Sequence, residues 1–185
     1  MARLPQALSR ALRWLSLLAL GAGALAVIAT GGLYLYLAPG LPAVERLEEV
    51  RLQEPLRVYA ANGELMATFG AKRRQPVALA AVPPTFRDAF IAAEDNRFRE
   101  HPGVDWMGIV RAAWQLVLTG DKSQGGSTIT MQVARNFLLT PDKTYIRKIR
   151  EILLALRIGQ ALSKDQILEL YLNKIYLGQG AYGIA

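Results

Sequence analysis

The chain has 185 residues, 52% apolar and 20% charged, with a formal charge of +7. That length fits one domain of ordinary size, and the composition excludes both a disordered polyelectrolyte and a polytopic membrane protein. The absence of cysteine excludes disulfide frameworks, thiolate metal sites and cysteine nucleophiles, and a single histidine, His101, leaves no His-rich metal cluster.

Residues 1–13 carry Arg3, Arg10 and Arg13 with no acid, and Trp14 to Ala38 then runs for 25 residues without a charge. At about 1.5 Å per residue such a helix covers a hydrocarbon core of roughly 30 Å. Trp14 at one end and Tyr34 and Tyr36 at the other suit the aromatic belts of a bilayer, and the preceding arginines place the N-terminus in the cytoplasm. A cleaved signal peptide is the competing reading, because Ala22-Gly23-Ala24 and Ala24-Leu25-Ala26 resemble cleavage sites. The apolar run continues well past both, which favours an uncleaved anchor. The expected layout is therefore a cytoplasmic tail (1–13), a transmembrane anchor (14–38), a linker (39–55) and an extracytoplasmic working domain (56–185).

Pro39-Gly40-Leu41-Pro42 breaks the helix, and the acidic Glu45, Glu48 and Glu49 follow. Leu56 to Phe69 reads as a β-hairpin about Asn62-Gly63. After Lys72-Arg73-Arg74 the pattern turns helical. Pro83-Pro84 opens a helix through about Arg99, with Phe86, Phe90 and Ala93 at helical spacing. Asp105 can cap a second, through Leu118, with Trp106, Ile109, Val110, Ala113 and Val117 on one face and Gly120 after its end. Gly125-Gly126-Ser127-Thr128 leads into a third, faced by Ile129, Val133 and Phe137. The spacing of Ile146, Ile149, Leu153 and Leu156 predicts a fourth over about Lys143 to Ala161. Ser163 with Gln166 forms a capping box for a fifth, to about Leu172. The soluble part is thus mainly α, with one small hairpin.

The positive charge outside the anchor is local: residues 122–151 hold six Lys and Arg against two acids. Lys122, Arg135, Lys143, Arg147, Lys148 and Arg150 lie in one segment with a helix N-terminus, an arrangement that favours a bound anion, phosphate above all. A solvated basic face, or one drawn to anionic lipid, is equally open from charge alone. Gly120 to Ser127 is no P-loop, since Gly126 stands where the lysine belongs. A patch without interleaved aromatics that faces away from the cytoplasm does not suit nucleic acid.

Glu94 and Asp95 form an acidic pair near aromatic residues, a setting in which general-base chemistry occurs; on spacing alone they read first as surface acids. Glu151, four residues after Arg147 and three after Lys148, reads as an ordinary helical ion pair. His101 reads as a loop-fixing residue, and Tyr171 and Asn173 as packing and helix-end residues.

The run Glu94-Asp95-Asn96-Arg97-Phe98-Arg99-Glu100-His101-Pro102-Gly103 resembles the first motif of the peptidoglycan glycosyltransferases (family 51), the polymerase modules of class A penicillin-binding proteins. Gly125-Gly126-Ser127-Thr128-Ile129-Thr130-Met131-Gln132-Val133-Ala134-Arg135-Asn136 resembles the second and Arg147-Lys148-Ile149-Arg150-Glu151 the third. Lys164 to Asn173, with Ile167, Glu169, Tyr171 and the later Gly178, resembles the fourth. Met131 and Arg135 depart from the family's common glutamine and lysine, keeping shape or charge.

The resemblance implies a lysozyme-like, mainly helical domain that polymerises lipid II into β-1,4 glycan with release of undecaprenyl pyrophosphate. It makes Glu94 the general base and Glu151 the second catalytic glutamate, assisting the leaving pyrophosphate or holding its basic partners. Asp95, Phe98, His101, Ser127, Thr128, Gln132, Arg135, Asn136, Arg147 and Lys148 map to substrate binding. It also implies a divalent cation, magnesium or manganese, at the pyrophosphate, with no organic cofactor and no metal held by site residues. The partners implied are lipid II, the growing glycan strand and membrane lipid, and the location is the inner membrane, single-pass, with the domain on the periplasmic side. The chain stops before the family's fifth motif and has no Ser-x-x-Lys, so the expectation is a fragment of a longer enzyme with a downstream transpeptidase domain, or a truncated gene model. A lysozyme-like hydrolase and an inactive tethered fragment are the alternatives.

Overall fold

The computed structural model describes residues 6–47, 56–69, 76–120, 126–142, 144–179 and 181–184. Arg3, Glu48, Glu49, Lys72, Arg73, Arg74, Lys122, Gly125 and Lys143, named above, lie outside them. The chain divides into two compact units, Met1–Leu41 and Pro42–Ala185.

The first unit is one helix, α1 (Gln6–Leu37), followed by a 3-10 turn over Ala38–Gly40. Pro39 cannot donate to the helical ladder, which sets the stop. From Arg13 to Gly40 this stretch is long and apolar enough to cross a membrane. Leu18, Val27 and Ile28 are exposed on it.

The second unit is mainly helical. Strands β1 (Leu56–Tyr59) and β2 (Leu65–Phe69) pair antiparallel, with Leu56 opposite Phe69 and Val58 opposite Ala67. Gly63 takes φ 86° in the turn, a conformation that favours glycine. Five helices follow: α2 (Pro84–Glu94), α3 (Trp106–Thr119), α4 (Ile129–Leu138), α5 (Tyr145–Ala161) and α6 (Lys164–Lys174). A second small hairpin, β3 (Tyr176–Gly178) and β4 (Ala181–Tyr182), comes after α6.

Helix α4 packs against both α5 and α6, and this junction is the core. Ile129 and Ala134 of α4, Leu154 and Ile158 of α5, and Ile167 and Leu168 of α6 are each wholly buried. Burial of each large aliphatic side chain stabilises the fold by about 1.5 to 3 kcal/mol. Met131 lies in a cluster with Val104 and Ala155, so an apolar side chain belongs where many family members carry glutamine.

Side-chain caps set the helix starts. Asp105, Thr128 and Thr144 accept from Gly108, Met131 and Arg147 N–H at the starts of α3, α4 and α5, and Ser163 with Gln166 forms the expected capping box of α6. Three expectations need correction. Helix α2 ends at Glu94 rather than near Arg99, because the Asp95 carboxylate turns into buried hydrogen bonds and takes its backbone out of helical geometry. Helix α5 buries Glu151, Leu154, Ala155 and Ile158, while Ile146 is exposed and Ile149, Leu153 and Leu156 are half-buried. On α3, Trp106, Val110 and Val117 stand exposed, and Ile109 is the residue that packs on the core cluster.

Helix α6 also fixes the approach to α2. The Asn173 amide donates to the Val77 carbonyl and accepts from the Val77 N–H, both at 2.8 Å, and Glu169 Oε2 accepts from Leu79 N–H at 2.7 Å. Asn173 therefore does more than end a helix: it anchors the segment that leads to Glu94.

Candidate functional site

Because α2 stops at Glu94, this carboxylate stands at the mouth of the helix, exposed to solvent. The Gln132 Nε2 of α4 donates to Glu94 Oε2 at 2.8 Å and leaves the other oxygen available. The neighbouring residue points the opposite way. Asp95 is buried, receives a hydrogen bond from Ile129 N–H at 3.1 Å, and pairs with His101 Nε2 at 3.0 Å. His101 Nδ1 accepts from Gly103 N–H at 3.2 Å, so Nε2 carries the ring proton and donates it to Asp95.

The 95–103 loop is thereby locked onto the start of α4. Thr128 Oγ1 donates to Gly103 O at 2.6 Å while accepting from Met131 N–H. Lys164 Nζ donates to His101 O at 2.6 Å and lies over the Phe98 ring at 4.5 Å. Burial pushes the Lys164 ammonium below its ordinary value; Asp95 opposes this and Arg99 adds to it. Phe98, His101, Asp95 and Thr128, mapped to substrate binding by resemblance, are all buried and hold this loop, and Asp95 and Thr128 also line the cleft that Glu94 borders. Their polar atoms are already engaged within the fold.

The basic side of the site is built on α5. Glu151 is 1% exposed, with Arg147 Nη1 at 3.1 Å from Oε1 and Lys148 Nζ at 3.1 Å from Oε2. Lys148 Nζ also donates to Ser127 Oγ at 2.6 Å, which ties the start of α4 to α5. The buried carboxylate aims two cations and stays out of reach itself. Arg135, half-buried, and Asn136, exposed, follow Gln132 by one turn of α4.

Ser127, which holds Lys148, opens onto the same cleft as Glu94. This cleft, of about 270 Å³, is lined by Glu94, Asp95, Arg111, Gly126, Ser127 and Thr128 among others. The carboxylate of Glu94 thus faces the same space as the hydroxyl that holds Lys148. Arg111 was missed in the sequence, although it is the one charged residue in the otherwise apolar or uncharged α3, a signal that was there to read.

The arrangement supplies a solvated carboxylate with a free acceptor oxygen next to a group of cations steered by a buried counter-charge. It can accept a proton at one end of the cleft and stabilise developing negative charge at the other.

Comparison with known proteins bears on this geometry. A family model described as "Transglycosylase" matches residues 62–185. Penicillin-binding protein 1A of Escherichia coli K12 is 59% identical over 153 residues, which is 83% of this chain and 18% of that protein. The proteins of the same name from Pseudomonas aeruginosa and Vibrio cholerae are 53% and 50% identical, over 85% and 83% of this chain and 19% and 18% of theirs. The chain spans less than a fifth of the length of these curated relatives. With the family model covering residues 62–185, including all four motifs, the chain belongs to the transglycosylase family, the peptidoglycan glycosyltransferases that its motifs resemble.

Proposed function

We propose that this chain polymerises lipid II into β-1,4-linked glycan with release of undecaprenyl pyrophosphate. The Glu94 carboxylate accepts the proton of the acceptor's N-acetylglucosamine 4-hydroxyl. That oxygen attacks C1 of the donor's N-acetylmuramic acid, the C1–O bond to the pyrophosphate breaks, and its electron pair leaves with the diphosphate. Configuration inverts, and Glu94 later returns its proton to solvent. Lys148 and Arg147, oriented by Glu151, lie where the leaving group gathers charge, and Ser127 fixes the Lys148 ammonium. Gln132 holds one Glu94 oxygen so that the other meets the acceptor, while Arg135, Asn136 and Arg111 extend the polar surface toward the donor.

One observation carries this reading: Glu94 and the Ser127 hydroxyl that binds Lys148 line a single cleft.

The divalent cation implied by the resemblance finds no protein-made site among the described residues: no group of three or more His, Asp or Glu could hold it. Glu151, the carboxylate beside the basic cluster, is engaged by Arg147 and Lys148. Magnesium or manganese would thus depend on the substrate's own phosphates, and no step above relies on it.

A lipid-linked substrate agrees with an apolar helix long enough to anchor the domain at a bilayer. The arginines at the N-terminus favour a cytoplasmic start, with the domain on the periplasmic side of the inner membrane. The relatives' name favours a penicillin-binding transpeptidase domain in the complete protein.

Incubation with lipid II tests the proposal. Lengthening glycan chains with released undecaprenyl pyrophosphate are expected; shortening of preformed glycan without polymerisation would instead mark a hydrolase.

A further inference from the structure

Tyr171 of α6 is 1% exposed, and its hydroxyl has no hydrogen-bond partner among the described residues. A buried phenol left unpaired costs about 1 to 3 kcal/mol, and a fold with ordinary packing needs would place phenylalanine there. The surroundings of this hydroxyl are not ordinary. The ring meets Phe90 edge-on, with centroids 6.4 Å apart, and Phe90 lies one turn before Glu94 on α2. The charged groups acting on the hydroxyl come from two other elements, Glu94 of α2 and Arg135 of α4. Burial raises the phenol above its ordinary value; Glu94 adds to the rise and Arg135 opposes it. The hydroxyl therefore stays protonated through the working range, able to donate and to accept at once.

We infer that the Tyr171 hydroxyl is a positioning group for the Glu94 carboxylate, donating to it and accepting from Arg135 in the substrate-loaded state. The inference rests on the proposed role of Glu94. A single phenol turning about its C–O bond can serve an anion on one side and a cation on the other. Among the described residues Gln132 is the side chain that holds Glu94. Once the acceptor hydroxyl occupies the free oxygen, a second donor fixes the carboxylate plane. Tyr171 then links the exposed base to a cation of the donor side from its buried flank.

The test is Tyr171→Phe in the complete membrane-bound protein, with lipid II as substrate and Glu94→Gln alongside. The variant should keep or raise its melting temperature, because the hydroxyl has no partner to lose. It should lower kcat about tenfold with KM changed less than about twofold, the loss of one charge-assisted hydrogen bond that acts on the chemical step. An unchanged kcat would overturn the inference. So would a kcat loss that comes only with a clear fall in melting temperature, for that would mark the hydroxyl as part of the resting fold. If Glu94→Gln polymerises like the wild type, the parent reading fails; if it is inactive while Tyr171→Phe behaves as wild type, this inference fails alone.

Discussion

Gly159 of α5 bears on whether the base loop and the cation helix form one rigid body. A Cβ added there would lie 1.8 Å from Pro102 O, 2.7 Å from Pro102 C and 3.3 Å from Gly103 N. The opposing atoms are backbone, so no side chain can turn aside. Restoring an ordinary carbon–oxygen contact of about 3.4 Å requires α5 and the loop to part by roughly 1.6 Å. That displacement strains the bonds from Lys164 to His101 O and from Thr128 to Gly103 O, both 2.6 Å long. Two hydrogen bonds at about 1 kcal/mol each, plus an overpacking cost of about 1 to 3 kcal/mol, outweigh the roughly 1 kcal/mol that alanine gains over glycine in a helix. The Gly159→Ala variant should therefore lose about 3 kcal/mol, seen as a fall of roughly 10 °C in the unfolding midpoint of the detergent-solubilised protein. A midpoint within about 2 °C of the wild type would refute the backbone contact and the rigid link drawn from it.

Two further outcomes follow from the buried polar groups. In Glu151→Gln the two cations lose a counter-charge that is 1% exposed. The expected loss is about 2 to 3 kcal/mol in urea denaturation, below that for a fully enclosed pair because the Lys148 side chain is 43% exposed and can turn to water; an unshifted urea midpoint would contradict it. Tyr171 gives a pH dependence. Its folded pKa is raised above the ordinary 10.0, so the stability it contributes is whole below pH 10 and drains away as pH climbs through the folded value. The unfolded chain gives up the proton first, at about 1.4 kcal/mol per pH unit. Denaturation of wild type and Tyr171→Phe from about pH 9 to about pH 11 should show the wild type losing more stability; parallel curves would count against the buried, neutral phenol.

What could be read in the sequence was local. The Ser163–Gln166 capping box, the Asn62-Gly63 turn and the Glu151 pairs each lie within four residues, and each occurs as expected. Distant contacts were not legible. Asp95 turns inward because the first N–H of α4, 34 residues on, needs an acceptor, and that turn both ends α2 and leaves Glu94 at the cleft. The buried stripe of α5 runs through Leu154, Ala155 and Ile158 rather than through Ile146, Ile149, Leu153 and Leu156, and the Pro102–Gly103 backbone lies against its small residues Ala155 and Gly159. The β3–β4 hairpin also escaped the periodicity: its strands span three and two residues, too few to alternate. Among the site residues, contacts far apart in sequence decide the placement: Asp95 and Thr128 are buried yet line the cleft, while Phe98 and His101 are buried behind it.

The central claim is that Glu94 takes the acceptor's proton in a cleft whose cations receive the diphosphate. Single-turnover polymerisation of lipid II by Glu94→Gln measures it directly, since glutamine keeps the shape and the Gln132 contact while removing the base. The account predicts a rate lower by about 10²- to 10⁴-fold with lipid II binding retained. A variant that elongates glycan at the wild-type rate would contradict it.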